Sequence, residues 1–348
     1  MPCLAIVVES STGLNMRKLF SFVLLAVLIV MGVAGVHAWN DWQRFLNHPV
    51  NPDGDLNLWL APGSSFNALT RQFEVLGLAQ SAWQWRVFGR LRAPVLKAGE
   101  YRVPTGSSIE DLVRLLESGQ VREHRLTIVD GWTVQRLRKA LVNDPRLRQR
   151  TAHLDDDELM ALLGCPGCFA EGRFLPETYF FTRSSEDLAI LRRAFEAMER
   201  TVTEIWAGRD ADLPLDSPEE LLVLASIIER ETGQAGERAR VAGVFTRRLE
   251  IGMRLQTDPT VIYGLDDDFD GRLRRVHLRT DHPWNTYTRH GLPPTPIALP
   301  GRRAIEAAAH PQPGTALYFV SRGDGTHHFS DTLEEHNAAV NRYIRGRR

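Results

Sequence analysis

The chain has 348 residues, of which 43% are hydrophobic, and its formal net charge at pH 7 is −1. This length supports one large or two to three small folded units, and the balanced charge argues against a protein that binds nucleic acid. Three cysteines are too few for a scaffold held together by disulfides.

The first predicted element is a membrane-spanning helix. Arg17 and Lys18 precede an uncharged, apolar run over residues 19–36, and as a helix this run is roughly 27 Å long, about the hydrocarbon thickness of a bilayer. We predict a transmembrane helix over residues 19–38 with residues 1–18 in the cytoplasm, because positively charged flanks stay inside. A cleaved signal peptide is the alternative, since small residues end the run.

The rest of the chain is then exported, which predicts a periplasmic protein on a single-pass anchor in the cytoplasmic (inner) membrane. Residues 39–55 contain two prolines and a glycine, as is typical of a linker. A pattern of proline, glycine, two serines and a short helix then occurs twice, in residues 61–79 and 103–121. A serine can cap each helix, and Ser107 with Glu110 predicts a capping box in the second copy.

Short strands that alternate with short helices predict small α/β units over residues 56–125. Proline, glycine and serine before a short helix resemble LysM, a small glycan-binding module of cell-wall proteins; ordinary α/β packing is the alternative. A weaker copy over residues 130–141 follows the strand-like RLTIV. A polar, helical connector over residues 142–170 holds Cys165 and Cys168, which form either a local disulfide or two inert thiols.

The most informative segment is a helix that the sequence predicts over residues 217–233. Ser217 caps its start, Pro218 takes the first helical position and Glu220 completes a capping box. Gly233 is expected to end it. The run LLVLASII within it is apolar on nearly every side, which predicts a helix buried all round.

Two glutamates, Glu229 and Glu231, stand at the end of this helix, where a charge costs free energy unless it is paired or used. Glu229 has small neighbours one turn away, among them Ala225 and Ser226, which are expected to leave a groove for a substrate. Glu231 shares its face with isoleucines of the core. A carboxyl half-buried in a groove has a raised pKa, which suits a general acid. The alternative is that both glutamates form ordinary ion pairs with nearby arginines: Arg230, Arg238 and Arg240.

Several motifs together resemble one family. They are EGRFLPETY at residues 171–179, LASIIERET at 224–232, RLQTDPTVIYG at 254–264 and NTYT at 285–288. These motifs resemble the endolytic murein transglycosylases, the YceG-like family, and the resemblance extends from about Lys97 to the C-terminus. It implies an α+β protein with an N-terminal transmembrane helix, a small LysM-like α/β region and a C-terminal α+β catalytic domain, here residues 126–348.

The resemblance implies that Glu229 is the catalytic acid. The family cleaves the β-1,4 bond between N-acetylmuramic acid and N-acetylglucosamine of peptidoglycan without water, which leaves 1,6-anhydromuramic acid ends and can terminate strand elongation. Most glycoside hydrolases need two carboxylates. A lytic transglycosylase, which is a lyase, can use one, because the C6 hydroxyl of the muramic acid is an intramolecular nucleophile with a high effective molarity.

Polar and aromatic residues of the matching motifs are expected to line the cleft, since sugar recognition needs hydrogen-bonding groups and aromatic faces. Their alternative role is structural, with buried polar side chains that satisfy loop backbone. Thr295 departs from the family, which tends to have glycine after GLPP. The expected substrate-binding residues are Glu171, Thr178, Tyr179, Gln256, Thr257, Asp258, Tyr263, Asn285 and Tyr287.

No cofactor or metal is expected. Residues 266–271 fit the start of a calcium-binding loop, but its twelfth position is His277 instead of glutamate. The expected partners are peptidoglycan strands, the cytoplasmic membrane and peptidoglycan synthases. Two alternatives stay open: a non-catalytic scaffold that binds peptidoglycan within the synthesis machinery, and a hydrolase in which Glu231 or Asp258 supplies a second carboxylate.

Overall fold

The computed structural model describes residues 16–79 and 81–346. Most of the predicted cytoplasmic segment, residues 1–18, lies outside this part of the chain. The chain divides into two compact units, Met1–Arg122 and Glu123–Arg348. Each unit has its own hydrophobic core.

The first unit begins with a long helix, α1 (Met16–Asn47). Within the described residues it is the one helix long and apolar enough to cross a membrane. It continues through the first part of the linker predicted over residues 39–55, because no proline interrupts it before Pro49 and because Phe45 packs against the core of the unit. The elements that follow are β1 (Leu56–Leu60), α2 (Phe66–Val75), α3 (Ala82–Arg92), β2 (Gly99–Val103) and α4 (Ile109–Ser118).

The two sequence copies form α2 and α4, which pack against one shared core. β1 and β2 pair antiparallel with Leu58 opposite Tyr101, and both of these side chains are fully buried. Ser65 caps α2 by accepting a hydrogen bond from the Ala68 amide. The two copies are therefore parts of a single compact α/β unit.

The capping box of α4 differs from the prediction by one residue. Ser108 and Asp111 form it, each side chain accepting a hydrogen bond from the backbone amide of the other residue. Ser107 is buried instead, and its hydroxyl donates a hydrogen bond of 2.6 Å to the Pro104 carbonyl. The prediction of a box between Ser107 and Glu110 is therefore wrong.

The second unit contains two antiparallel pairs of strands, β3–β4 and β5–β6, and a larger set of helices. Its strands are β3 (Glu123–Thr127), β4 (Thr178–Thr182), β5 (Tyr318–Ser321) and β6 (His327–Ser330). Its helices are α5 (Val134–Val142), α6 (Asp156–Leu163), α7 (Asp187–Ala207), α8 (Pro218–Glu231), α9 (Arg238–Glu250), α10 (Asp258–Leu265), α11 (Arg275–Arg279), α12 (Arg302–Ala309) and α13 (Leu333–Val340), with a 3₁₀ turn at Asp266–Asp268 and a π-helical turn at Asn341–Arg345.

Helix α8 forms the centre of one of the two cores of this unit. Each of residues 221–228 is buried, which confirms the helix predicted to be buried all round. Ser217 caps it by accepting a hydrogen bond from the Glu220 amide. The Glu220 carboxylate, however, accepts from the Asp216 amide at 2.6 Å instead of closing a box with Ser217. α8 ends at Glu231, so both glutamates belong to its last turn.

The connector predicted over residues 142–170 contains α6 and the two cysteines. Cys165 and Cys168 are joined by a disulfide, one of the two alternatives that the sequence left open. The pair packs against the second core of the unit. The turn that follows carries Glu171 into the interior, where its side chain is buried.

Candidate active site

The carboxyl group of Glu229 is held by two donors from distant parts of the chain. Its Oε2 accepts a hydrogen bond of 3.0 Å from the backbone amide of Gly301. Its Oε1 lies 3.4 Å from Nη2 of Arg238, and the Glu229 side chain is 5% exposed. The ion pair that the sequence allowed is therefore present, but the Gly301 amide fixes the other oxygen.

Glycines let two loops approach Glu229 closely. Gly131 has a φ of 76°, a left-handed conformation that favours glycine, and its amide donates to the Leu299 carbonyl at 2.9 Å. At Gly301 a Cβ atom would lie 2.6 Å from Oδ1 of Asp130. Any side chain at Gly301 would displace Asp130 or the amide that binds Glu229.

The pKa of Glu229 is raised above its ordinary value. Burial is the largest cause, because it disfavours the charged form, and the nearby Asp130 carboxylate acts in the same direction. The Gly301 hydrogen bond and the Arg238 charge lower the pKa and offset part of this rise. The balance favours a carboxyl group that still carries its proton when ordinary glutamates have lost theirs.

The small residues one turn before Glu229 do not open a groove. Ala225 and Ser226 are both fully buried. The Ser226 hydroxyl donates to the Val223 carbonyl at 2.7 Å and accepts from the Ile297 amide at 3.0 Å. The loop before α12 therefore occupies the space that was expected to admit a substrate, and the small side chains are there to let it approach.

The open space lies on another side of Glu229. A cavity of about 560 Å³ has Gly131 and Arg230 in its wall. A Cβ atom on Gly131 would lie 3.9 Å from Cγ of Glu229, and Arg230 donates to the Gly131 carbonyl at 3.1 Å. The proposed acid therefore stands directly behind one wall of the cavity.

Aromatic side chains line the same cavity, among them Trp132, Tyr263 and Trp284. The rings of Tyr263 and Trp284 have centroids 5.8 Å apart. Trp284 Nε1 donates a hydrogen bond of 2.9 Å to the hydroxyl of Thr295. The threonine that departs from the family pattern thus orients a cavity-lining tryptophan. Aromatic faces next to polar groups suit the binding of sugar rings.

Glu171 is a second buried carboxyl group in this cavity. Burial raises its pKa to about 7, although hydrogen bonds from the backbone of Val134 and Gly172 and from the Tyr263 hydroxyl act against the rise. The Val134 amide lies 3.2 Å from one carboxyl oxygen and 3.3 Å from the other. The amide of Val134, the first residue of α5, thus holds the Glu171 carboxyl group, which titrates near neutral pH.

Glu231 belongs to a different cluster. Its carboxyl group accepts a hydrogen bond from the hydroxyl of Thr257, a partner that the sequence did not suggest. Burial raises its pKa, and the neighbouring Asp258 acts in the same direction. Asp258 itself accepts a hydrogen bond of 2.6 Å from the Tyr287 hydroxyl. The raised pKa values therefore do not distinguish Glu229 from Glu231; their surroundings do.

The structure separates the expected substrate-binding residues into three groups. Glu171 and Tyr263 line the cavity. Thr257, Asp258 and Tyr287 form a second group around Glu231. Gln256 lies next to this group in the chain, and its backbone amide donates a hydrogen bond to the Thr286 carbonyl. The third group has internal partners: Asn285 donates to the carbonyls of His277 and Thr280, Tyr179 donates to the Leu175 carbonyl, and Thr178 bonds the Thr127 hydroxyl.

Sequence reasoning missed several residues of the site: Asp130, Trp132, Trp284 and Gly301. Asp130 and Trp132 had a usable signal, because they follow directly after a predicted strand, where polar and aromatic residues commonly face a site. Gly301 had none, since its role depends on a contact with a residue 72 positions away.

A sequence profile of the YceG-like family matches residues 58–342. The chain belongs to the YceG-like family. The matched region extends over both compact units and includes Glu171 and Glu229.

Named relatives agree with this membership. The chain is 29% identical to the endolytic murein transglycosylase of Bacillus subtilis, over 87% of this chain and 89% of the relative. It is 23% identical to the endolytic murein transglycosylase of Streptococcus pneumoniae, over 92% of this chain and 65% of that protein. The crystal structure of a YceG-like protein from Listeria monocytogenes superposes with a TM-score of 0.56 at 27% identity, and covers 82% of this chain and 98% of that one.

Proposed function

We propose that this YceG-like chain is an endolytic murein transglycosylase, a lyase that cleaves the bond between N-acetylmuramic acid and N-acetylglucosamine within peptidoglycan strands. The observation that carries the proposal is the position of Glu229, a carboxyl group with a raised pKa behind the wall of an aromatic-lined cavity. The names of its relatives in Bacillus subtilis and Streptococcus pneumoniae support the same activity.

In the first step Glu229 acts as a general acid. Its carboxyl group donates a proton to the glycosidic oxygen, the bond from that oxygen to the anomeric carbon breaks, and N-acetylglucosamine leaves with a free 4-hydroxyl. Burial supports this role, because it keeps the carboxyl group protonated at a pH where exposed glutamates are ionised. The Gly301 amide and Arg238 stabilise the carboxylate that the step produces.

In the second step the Glu229 carboxylate takes the proton from the C6 hydroxyl of the muramic acid, whose oxygen bonds to the anomeric carbon. The product ends in a 1,6-anhydro ring, no water is consumed and Glu229 regains its proton. A nucleophile on the same sugar has a high effective molarity, which favours it over water. A single carboxyl group therefore suffices for both steps.

The other residues expected at the substrate site are proposed to contribute to it in different ways. Glu171 and Tyr263 are best placed, since they line the cavity. Thr257, Asp258 and Tyr287, with Gln256, are proposed to extend the binding surface at the cluster around Glu231. Asn285, Tyr179 and Thr178 are proposed to act indirectly, by holding the loops and the strand that carry these residues.

The first unit is proposed to anchor the enzyme and to help it find glycan. Helix α1, whose large apolar residues between Leu19 and Val36 are exposed, supports a single pass through the cytoplasmic membrane with the second unit in the periplasm. The compact α/β fold of residues 56–122 supports a LysM-like glycan-binding role, and peptidoglycan synthases are the proposed partners of the assembled enzyme.

Mass spectrometry of purified glycan strands after digestion by the full chain tests the function. Anhydromuramic ends within cleaved strands are the expected product. Reducing muramic ends would instead identify a hydrolase that uses water and a second carboxylate. Intact strands from a folded protein would identify a binding scaffold.

A further inference from the structure

Helix α3 of the first unit has two apolar faces, although a helix at a surface needs only one. Its inner face buries Trp85 and Phe88 in the core. Its outer face carries Trp83, Val87 and Leu91, which are 61%, 37% and 75% exposed. These three residues are spaced four apart, so they form one stripe along the helix.

Arginines accompany the outer stripe. Arg86 and Arg90 are exposed and stand one residue before Val87 and Leu91 on the same side of the helix. An apolar stripe with tryptophan at one end and arginine beside it is the pattern of a helix that lies in the surface of a membrane. Tryptophan favours the headgroup level, and arginine favours anionic lipids.

Helix α3 lies next to α1, the helix proposed as the membrane anchor, and this position makes a lipid surface the partner that fits the stripe. Trp83 and Trp85 share a surface depression with Asp41 and Phe45 of α1. The Phe45 ring lies 6.4 Å from that of Trp85 between centroids. The start of α3 is therefore held against the part of α1 that leaves the apolar run.

The distance along α1 agrees with this placement. A span over residues 19–38 fills a hydrocarbon layer of about 30 Å, and each further residue adds about 1.5 Å. Asp41 then lies about 5 Å and Phe45 about 10 Å beyond the hydrocarbon edge, at and just above a headgroup layer roughly 5–8 Å thick. The tryptophan side chain at the start of α3 is long enough to reach that layer.

We propose that the outer stripe of α3, Trp83, Val87 and Leu91 with Arg86 and Arg90, binds the surface of an anionic lipid bilayer beside the anchor. The inference rests on the proposed membrane anchor and is independent of the catalytic proposal. The contact would fix the first unit on the membrane surface by a second point of attachment.

Site-directed nitroxide labels on the full chain test the proposal. The chain, with Cys3→Ser, is placed in vesicles of phosphatidylglycerol and phosphatidylcholine, and labels are attached at Val87→Cys, Val27→Cys or Glu196→Cys. Collision with oxygen, which concentrates in lipid, is compared with collision with a water-soluble nickel chelate. Position 27 reports the span, and position 196 reports an exposed helix of the second unit.

The ratio of oxygen to nickel collisions at position 87 should lie between the ratios at positions 27 and 196. The double variant Trp83→Gln and Leu91→Gln should lower the ratio at position 87 several-fold. The double variant Arg86→Gln and Arg90→Gln should reduce it in vesicles that contain phosphatidylglycerol but not in pure phosphatidylcholine. A lipid-like position 27 with an aqueous position 87 would overturn the contact and leave the anchor intact. That result would indicate that the stripe binds a protein partner instead of lipid. Aqueous values at both positions would overturn the anchor and the contact together.

Discussion

The backbone amide of Gly301 donates a hydrogen bond of 3.0 Å to Oε2 of Glu229, and this contact joins the last turn of α8 to the N-terminus of α12. Gly301 is the residue before the first turn of α12, where unpaired amides favour a negative charge. Burial thus raises the pKa of the carboxyl group, and the Gly301 amide is a donor ready for the carboxylate that forms when the proton leaves.

The proposed role of Glu229 predicts a large loss of activity in Glu229→Gln. Glutamine keeps the shape and can accept the Gly301 hydrogen bond, but it neither donates an acidic proton nor takes one back. Formation of anhydro ends should fall by at least about 10²-fold, measured by mass spectrometry of digested strands. The variant should remain folded, because a neutral residue of equal size suits a buried position.

Glu231→Gln is the matched control for this substitution. Glu231 bonds to Thr257, and neither residue is part of the cavity wall, so its replacement should have a much smaller effect on rate. Loss of activity in Glu231→Gln with full activity in Glu229→Gln would show that the other glutamate is the acid. Full activity in both would contradict a mechanism based on one carboxyl group of this helix.

Arg238 is expected to set the upper pH limit of the reaction. Its charge lowers the pKa of Glu229 against the effect of burial, so Arg238→Gln should raise that pKa further. A general acid loses activity as the pH rises through its pKa. The alkaline limb of the pH–rate profile should therefore move to higher pH, by on the order of one unit. Arg238→Lys should leave it nearly in place, and a shift to lower pH would contradict the assignment.

Glu171 is expected to make the protein less stable as the pH rises. Its folded-state pKa, about 7, is above its ordinary value of 4.5, so the folded state binds the proton more tightly than the unfolded state. Protonated Glu171 therefore contributes on the order of 3 kcal/mol to the free energy of unfolding. This contribution is fully present below about pH 4.5 and is lost as the pH rises through about 7. Unfolding in detergent across this range should show a smaller decline for Glu171→Gln. An equal decline would place the cause in other groups.

Ser226 is expected to matter for stability and not for chemistry. Ser226→Ala removes the acceptor of the Ile297 amide and leaves that buried group without its partner, at a cost of about 1–3 kcal/mol. The free energy of unfolding measures this. Thr203→Ala, which removes an exposed hydroxyl bonded within α7, is the control and should change stability by less than about 0.5 kcal/mol. Equal effects would contradict the structural role.

The membrane topology predicts an active alkaline phosphatase fused to the C-terminus, because that reporter works only after export. Arg17 and Lys18 ahead of the apolar run are expected to keep the N-terminus in the cytoplasm. An inactive fusion on a well-expressed chain would reverse the orientation.

The local features of the fold could be predicted from the sequence, and the long-range ones could not. The caps of α2 and α8 and the burial of α8 follow from neighbouring residues. The role of Ser226 did not follow, because small residues equally allow a groove or a close-packed loop, and only the position of Ile297 decides. For the same reason Glu231 could not be assigned to Thr257, which is 26 positions away.

The loop contacts around Glu229 also bear on when the enzyme becomes active during folding. Gly301 is 72 positions from Glu229, and Gly131 is 99 positions from Arg230. Contacts between such distant positions form late, because closing long loops costs entropy before any contact compensates it. A nascent or locally unfolded chain leaves the Glu229 carboxyl in water, where it ionises like any exposed glutamate. With Glu229 as the proposed acid, the chain is expected to cleave glycan only after its second unit has closed, so that an unfinished molecule stays inactive.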